Sequence, residues 1–290
     1  MGQIRQHIPW KAAGRASEDQ HSADDVVRQT GWVFNNRTGG HLTLDEFVAS
    51  GDLEVPAYLR AFGLWDDAQG SKTLVEIGSG IGRMTAAFTR LFAKVYACDL
   101  DAAFLERCRE TVAHHGMPDH LLTTHVADGR TLALPDGVAD LTFSYITLQH
   151  CRPADALALV GEAVRVTKPG GTVALNLRTW TGADVVLVPL GRLMRILWRV
   201  PKVGPWLSRQ RAAARLGWQA NRLAPRQVVE ANRAALADVT IFRSPSRRGF
   251  GLPDTTERTF DGVNASHWWL VGTVASPAQP MGPQPGPPLA

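Results

Sequence analysis

A doubly wound, mostly parallel α/β sheet is the fold class this 290-residue chain predicts. Three observations carry it. Five short apolar runs follow one another between Lys72 and Leu177, helical patterns fill the gaps between them, and a glycine-rich turn joins the first run to the first helical pattern. Strands that alternate with helices build βαβ units, and each right-handed crossover lays its helix over a face of the sheet.

The elements follow in order. Residues 1–70 read as helices with loops, including patterns at Asp45–Ala49 and Val55–Phe62. The five strands are expected at Thr73–Ile77, Lys94–Cys98, Leu121–Val126, Ala139–Tyr145 and Gly171–Leu177. Helical patterns fall at Met84–Phe92, Ala102–His114 and Pro153–Val166. The last is ended by Lys168-Pro169-Gly170-Gly171, because proline lacks the helical donor and glycine gives up too much backbone freedom. A basic segment interrupted by prolines, 181–224, comes next, then a helix-like Pro225–Leu236 and two more strand candidates, Val239–Arg243 and His267–Val274. The tail 276–290 carries six prolines and almost no apolar mass, so disorder is expected there. The chain therefore divides into an N-terminal helical cap (1–70), a core (71–180), a basic insert (181–224), a completing segment (225–275) and the tail (276–290).

Composition excludes several classes. A net charge of +4 is too small to support a nucleic-acid partner. Three cysteines, Cys98, Cys108 and Cys151, form an odd set without C-x-x-C spacing, which implies no disulfide framework and fits a reducing, cytoplasmic location. The N-terminus lacks the apolar stretch of a secretory signal, and Gln6 stands where a myristoylation signal wants Ser or Thr. No apolar run approaches the roughly 20 residues that span a bilayer. The densest, near 185–200, is interrupted by Pro189, Gly191 and three arginines.

The turn reads Glu76-Ile77-Gly78-Ser79-Gly80-Ile81-Gly82-Arg83. Glycines let the backbone turn sharply and approach a ligand, and the helix that follows offers free N–H groups. A dinucleotide site, G-x-G-x-x-G, needs its third glycine where this chain has Arg83. The acid Glu76 would repel a pyrophosphate but not a ligand carrying an amine and a sulfonium. Asp99 closes the second strand, where a carboxylate can accept both ribose hydroxyls or merely cap the next helix. Asp128-Gly129 follows the third strand, where the acid can take an exocyclic amino group or belong to a turn. Acids at three successive strand ends describe a pocket for a cationic adenosine ligand.

Taken together, Glu76 to Gly82, Asp99, Asp128-Gly129, Asp140 to Tyr145, Leu148-Gln149-His150 and Lys168 to Gly171 resemble the successive motifs of class I S-adenosylmethionine-dependent methyltransferases over about residues 72–178. The resemblance implies a Rossmann-like sheet of seven strands whose sixth is Val239–Arg243 and whose antiparallel last is His267–Val274. It implies S-adenosylmethionine as cofactor and S-adenosylhomocysteine as product. The methionine part would lie against Glu76, Gly78, Ser79, Gly80 and Gly82, with Arg83 facing its carboxylate. Asp99 would hold the ribose, Leu100, Asp128 and Gly129 the adenine, and Ser144 and Gln149 would stand near the sulfonium. Residues 1–70 and 181–224 match the family only loosely and would form the pocket for a small-molecule acceptor.

Methyl transfer needs an electron pair aligned behind an activated methyl, and for a hydroxyl acceptor a base helps. His150, after the fourth strand, is the candidate base, with a role as pocket wall equally open. Tyr145 stands on the substrate side. Oxygen is the first choice of acceptor atom. Ser144-Tyr145-Ile146-Thr147 is unlike the Asn-Pro-Pro-Tyr motif that goes with N-methylation of amides or nucleic-acid bases. His114, His115, His120 and His125 have no metal-site spacing, and no metal is expected. Trp32 and His41 belong to the segment that would fold over the cofactor, although packing is the stronger reading for both. Trp268 and Trp269 read as sheet packing.

The stretch 185–229 holds nine Lys or Arg residues and no acid. Arg192, Arg195 and Arg199 recur at helical spacing, with Leu193, Met194, Ile196, Leu197 and Trp198 between them. Three readings stand: a lid bringing Arg192 and Trp198 to the substrate, a membrane-surface helix near 190–200, or a helix whose arginines face water. Rival functions are a catalytically silent cofactor-binding or membrane-recruited protein and a nicotinamide-dependent oxidoreductase. Monomer and homodimer are both open.

Overall fold

The computed structural model describes residues 22–34, 42–218 and 221–276. The expected tail, His41 and the first 21 residues lie outside the described residues. Eight strands form one sheet in the order β3-β2-β1-β4-β5-β8-β6-β7. They are β1 Thr73–Ile77, β2 Lys94–Asp99, β3 Leu121–His125, β4 Ala139–Ser144, β5 Thr167–Arg178, β6 Leu236–Arg243, β7 Thr256–Thr259 and β8 His267–Val274. β8 runs antiparallel between β5 and β6, and all the other pairs are parallel. The seven expected strands are all present. The correction is β7, an eighth strand on the far edge beside β6, whose polar and largely exposed Thr-Glu-Arg-Thr has no apolar alternation to betray it.

Nine helices are described: α1 Ala23–Phe34, α2 Leu44–Ala61, α3 Thr85–Leu91, α4 Ala102–His115, α5 Pro153–Val166, α6 Asp184–Leu197, α7 Val203–Arg209, α8 Arg211–Trp218 and α9 Pro225–Asn232. α2 is one helix where the sequence suggests two patterns. Its start is secured by a capping box, with Thr43 Oγ1 accepting from Glu46 N and Glu46 Oε2 from Thr43 N, and it runs on through Pro56. β5 begins at Thr167, earlier than expected, because the chain passes from α5 into the strand without a loop.

Period-two side chains divide the core between the two faces of the sheet. Val75, Ile77, Val173, Leu175, Trp268 and Leu270 pack beneath α5 and α9. Leu74, Phe143, Ala174, Trp269 and Val271 pack against Phe88 of α3 and against Tyr58 and Phe62 of α2 and its end. Both tryptophans are fully buried in the sheet. α1 and α2 then close over the glycine-rich turn through Val26, Val27, Phe47, Ile81 and Phe104.

From β1 the chain winds outward through β2 and β3, returns to the other side of β1 as β4, and continues to β5. The reversal between β1 and β4 opens a crevice beyond their C-terminal ends, the place where open α/β sheets take ligands.

Candidate active site

The crevice is a cavity floored by the glycine turn. Gly78, Gly80 and Gly82 have φ of +82°, +56° and +96°, a region closed to most side chains. Gly78 N and Ser79 N donate to Cys98 O at 2.7 and 3.1 Å, tying the turn to β2. A Cβ on Gly78 would stand 2.1 Å from Thr147 Oγ1, so only glycine lets the ends of β1 and β4 meet. On α2, Gly51 allows a similar approach, since a Cβ there would lie 2.2 Å from Arg83 O.

Two buried carboxylates face this cavity. Glu76 Oε2 accepts from Thr85 Oγ1 at 2.6 Å. Burial pushes its pKa up to about 7, against the Thr85 hydrogen bond and the Arg83 charge. Asp99 accepts from Gly80 N and Asp101 N, each at 2.8 Å. Burial raises it to about 6 even so. Apolar walls come from Phe47, Ile81, Met84, Leu100, Phe104, Val126 and Leu159, and the remaining wall from Tyr145 through Thr147 with His150 and Cys151. Ile146 is a β-branched residue at φ +52°, a strained conformation that concentrates at ligand sites.

The predicted residues separate into two groups. Glu76, Gly78, Ser79, Gly80, Arg83, Asp99, Leu100, Gly129, Tyr145 and His150 line the cavity together. Arg83 is engaged with the cap: its Nη1 donates to Glu54 Oε2 at 2.8 Å and Ser50 Oγ at 3.2 Å, and its guanidinium lies over the Tyr145 and Phe47 rings. Gly82 ends the turn against α4, where a Cβ would stand 3.2 Å from Cys108 and Thr111. Asp128 is exposed, and its Oδ1 accepts from Arg130 N and Thr131 N, which is the turn reading of that residue.

Ser144 is fully buried and donates to Ile77 O at 2.9 Å, linking β4 to β1 beneath the cavity. Gln149 is also buried behind the wall, where its Oε1 accepts from His267 Nε2 at 2.5 Å and its Nε2 donates to His150 Nε2 at 3.3 Å. Burial presses the His267 pKa down to about 3, leaving a neutral ring that orients Gln149. Asn221 clips the same wall from behind, donating to Leu148 O and Cys151 O. Sequence reasoning passed over His267 and Asn221, because only the register of β8 and the return of the chain after α8 bring them here.

Arg192 and Trp198 do not line the cavity. Trp198 is buried against Gly217 of α8, and Arg192 is exposed on α6. The side chain of Trp32 lies outside the described residues. Among the described residues no His, Cys, Asp or Glu cluster gathers that could hold a metal, and no helix is long and apolar enough to cross a membrane.

An acidic, glycine-floored crevice fits a cationic adenosyl ligand. The raised carboxylates give that fit a pH signature. Below about pH 5 both are largely protonated, so affinity for S-adenosylmethionine should rise steeply from pH 5 to 8 as Asp99 and then Glu76 ionise. S-adenosylhomocysteine, without the sulfonium charge, should show a shallower rise. Calorimetric titration at intervals across that range is the check, and a flat profile for both ligands would remove the carboxylates from recognition.

Comparison with known proteins agrees with this geometry. A family model described as a methyltransferase domain matches residues 75–175. The chain is 33% identical over 114 residues to a carboxy-S-adenosyl-L-methionine synthase of Pseudomonas putida, covering 38% of this chain and 46% of that protein. The protein of the same name from Pseudomonas fluorescens is 35% identical over the same length and coverage. The chain thus spans about half the length of the curated relatives it matches. Among solved structures, a methyltransferase fold from Bacillus halodurans superposes with a TM-score of 0.50 at 14% identity, covering 77% of this chain and all of that one.

Proposed function

We propose, for a chain whose central domain is a class I S-adenosylmethionine-dependent methyltransferase domain, that the whole protein transfers the methyl group to a hydroxyl of a small organic acceptor. S-adenosylmethionine is the cofactor of that domain, and it supplies a methyl carbon activated by a sulfonium. The observation that carries the reading is that His150 lines the same cavity as the acidic glycine turn. Glu76, Asp99 and the turn would hold and orient the cofactor. Tyr145, Ile146 and Thr147 shape the space in front of them, and α1 and α2 cover the turn from solvent.

As the acceptor oxygen bonds to the methyl carbon and the carbon–sulfur bond breaks, His150 takes the hydroxyl proton. Gln149, held by His267, donates to His150 Nε2 in the ligand-free site, so that nitrogen exchanges this contact for the acceptor hydroxyl before it takes the proton. The three cysteines are free, which accords with a cytoplasmic setting. With an identified acceptor, His150→Ala should slow turnover by roughly 10²–10⁴-fold while leaving cofactor affinity intact. Normal turnover in that variant would reduce His150 to a wall of the pocket.

The relatives favour a second reading, in which S-adenosylmethionine is itself the molecule modified, as their name states for them. Methyl-labelled cofactor incubated with the protein and a small-molecule extract separates the two. Label on a new acceptor with accumulation of S-adenosylhomocysteine supports methyl transfer. Label retained on a heavier, carboxylated sulfonium supports the second reading.

A further inference from the structure

A helix packed on a protein by one face normally turns polar residues outward. α6 does the reverse. Its inner side is closed: Asp184 is fully buried, and Gly191 lies so close to α8 that a Cβ would stand 2.5 Å from Leu216 O. At about 100° per residue, Val185, Val186, Leu190, Leu193 and Ile196 share one outward arc of about 140°. All five are exposed, Val185 to 71% and Ile196 to 60%. Arg192 borders that arc, and Arg199 and Lys202 follow it, all three exposed. Trp180 before the helix and Trp206 after it are exposed as well.

We propose that this face docks on an anionic lipid bilayer, with α6 lying in the plane of the interface. Fourteen residues give a helix of about 21 Å. Its apolar arc enters the acyl boundary, Arg192, Arg199 and Lys202 sit at the level of the phosphates, and the two indoles occupy the headgroup zone that such rings favour. Charge decides the occupant. A second copy related by a two-fold axis would set this face against itself, bringing Arg192 and Arg199 of both copies together where 185–229 offers no acid to pair with them. A bilayer containing acidic phospholipid supplies both the apolar layer and the counter-charge.

Co-sedimentation of the full chain with vesicles tests this, using phosphatidylcholine alone and equal parts phosphatidylcholine and phosphatidylglycerol, at low and high salt. The chain should pellet with the anionic vesicles, and salt should weaken the binding. Leu193→Glu with Ile196→Glu should abolish it. Arg192→Gln with Arg199→Gln should weaken it about 30-fold, at about 1 kcal/mol per surface cation. These positions are exposed, and unchanged affinity for S-adenosylmethionine in each variant reports an intact fold. Absence of wild-type binding, binding that survives the glutamates, or a dimer that the glutamates dissolve would each overturn the proposal. The docking face does not depend on the acceptor reading: vesicle binding without methyl transfer would sink that reading alone.

Discussion

Replacing Asp99 by alanine should lower affinity for S-adenosylmethionine by about 10²–10⁴-fold. The proposed hydrogen bonds from the two ribose hydroxyls to this carboxylate would account for the loss, at roughly 1.5–3 kcal/mol each. The residue is 7% exposed, and its oxygens already hold Gly80 N and Asp101 N, so the carboxylate is aimed before any ligand arrives. Burial of the carboxylate disfavours its charged form, and removing the charge relieves that cost in the ligand-free fold. The ligand-free variant should therefore melt within a few degrees of the parent while losing the stabilisation that cofactor confers. Calorimetric titration alongside thermal melts distinguishes the two effects, and an affinity within threefold of the parent would take Asp99 out of the site.

The largest effect on stability should come from Asp184→Ala, a loss of about 3–5 kcal/mol. Asp184 is fully buried and accepts from Arg178 Nη2 at 3.2 Å, Arg222 Nη2 at 2.8 Å, and Thr181 N and Oγ1 at 2.9 and 3.0 Å. Burial opposes its ionisation, but the Arg222 and Thr181 hydrogen bonds outweigh it and hold the pKa at about 2. Without the carboxylate, two guanidiniums confront each other inside the protein, and the link between the end of β5, the start of α6 and the segment after α8 is cut. Chemical denaturation of the parent and the variant measures the loss. Less than 1 kcal/mol would mean that water reaches the cluster. Adding Arg178→Met to the variant should restore part of the stability, which a purely local cavity would not predict. Because the carboxyl is held below its unfolded value, its contribution is complete above about pH 4 and disappears as the pH falls toward 2.

Much of this molecule was legible in its sequence because local rules coincide with global ones in the core. Thr73–Ile77 and His267–Val274 carry dense apolar residues that only a sheet covered on both faces can bury. The glycines and acids of the cavity floor were readable for a related reason: sharp backbone turns and strand-end carboxylates leave marks in single residues. Apolar walls do not. Phe47, Phe104 and Leu159 come from three separate helices and Met84 from the cap of a fourth, and all look like any core position until the sheet gathers them. Ser144 and Gln149 show a different limit. Ser144 ends β4 and Gln149 sits in the turn that follows, and sequence does not say whether such polar side chains turn toward a ligand or toward the protein's own groups, which both bond here.

The position of β8 bears on how the chain can fold. β5 has β4 on one side and β8 on the other, and Asn176 reaches across to Trp268 O, 92 positions away. A nascent chain that has emerged only as far as the stretch 75–175 thus holds β5 with one edge unpaired, and with no strand yet made that can cover it. Pairings over so long a loop form slowly, and open edges invite intermolecular association meanwhile. The family-matched stretch is therefore expected not to fold on its own. Translation must reach His267–Val274 before the sheet can close, and fragments cut before that strand should aggregate where the full chain stays dispersed.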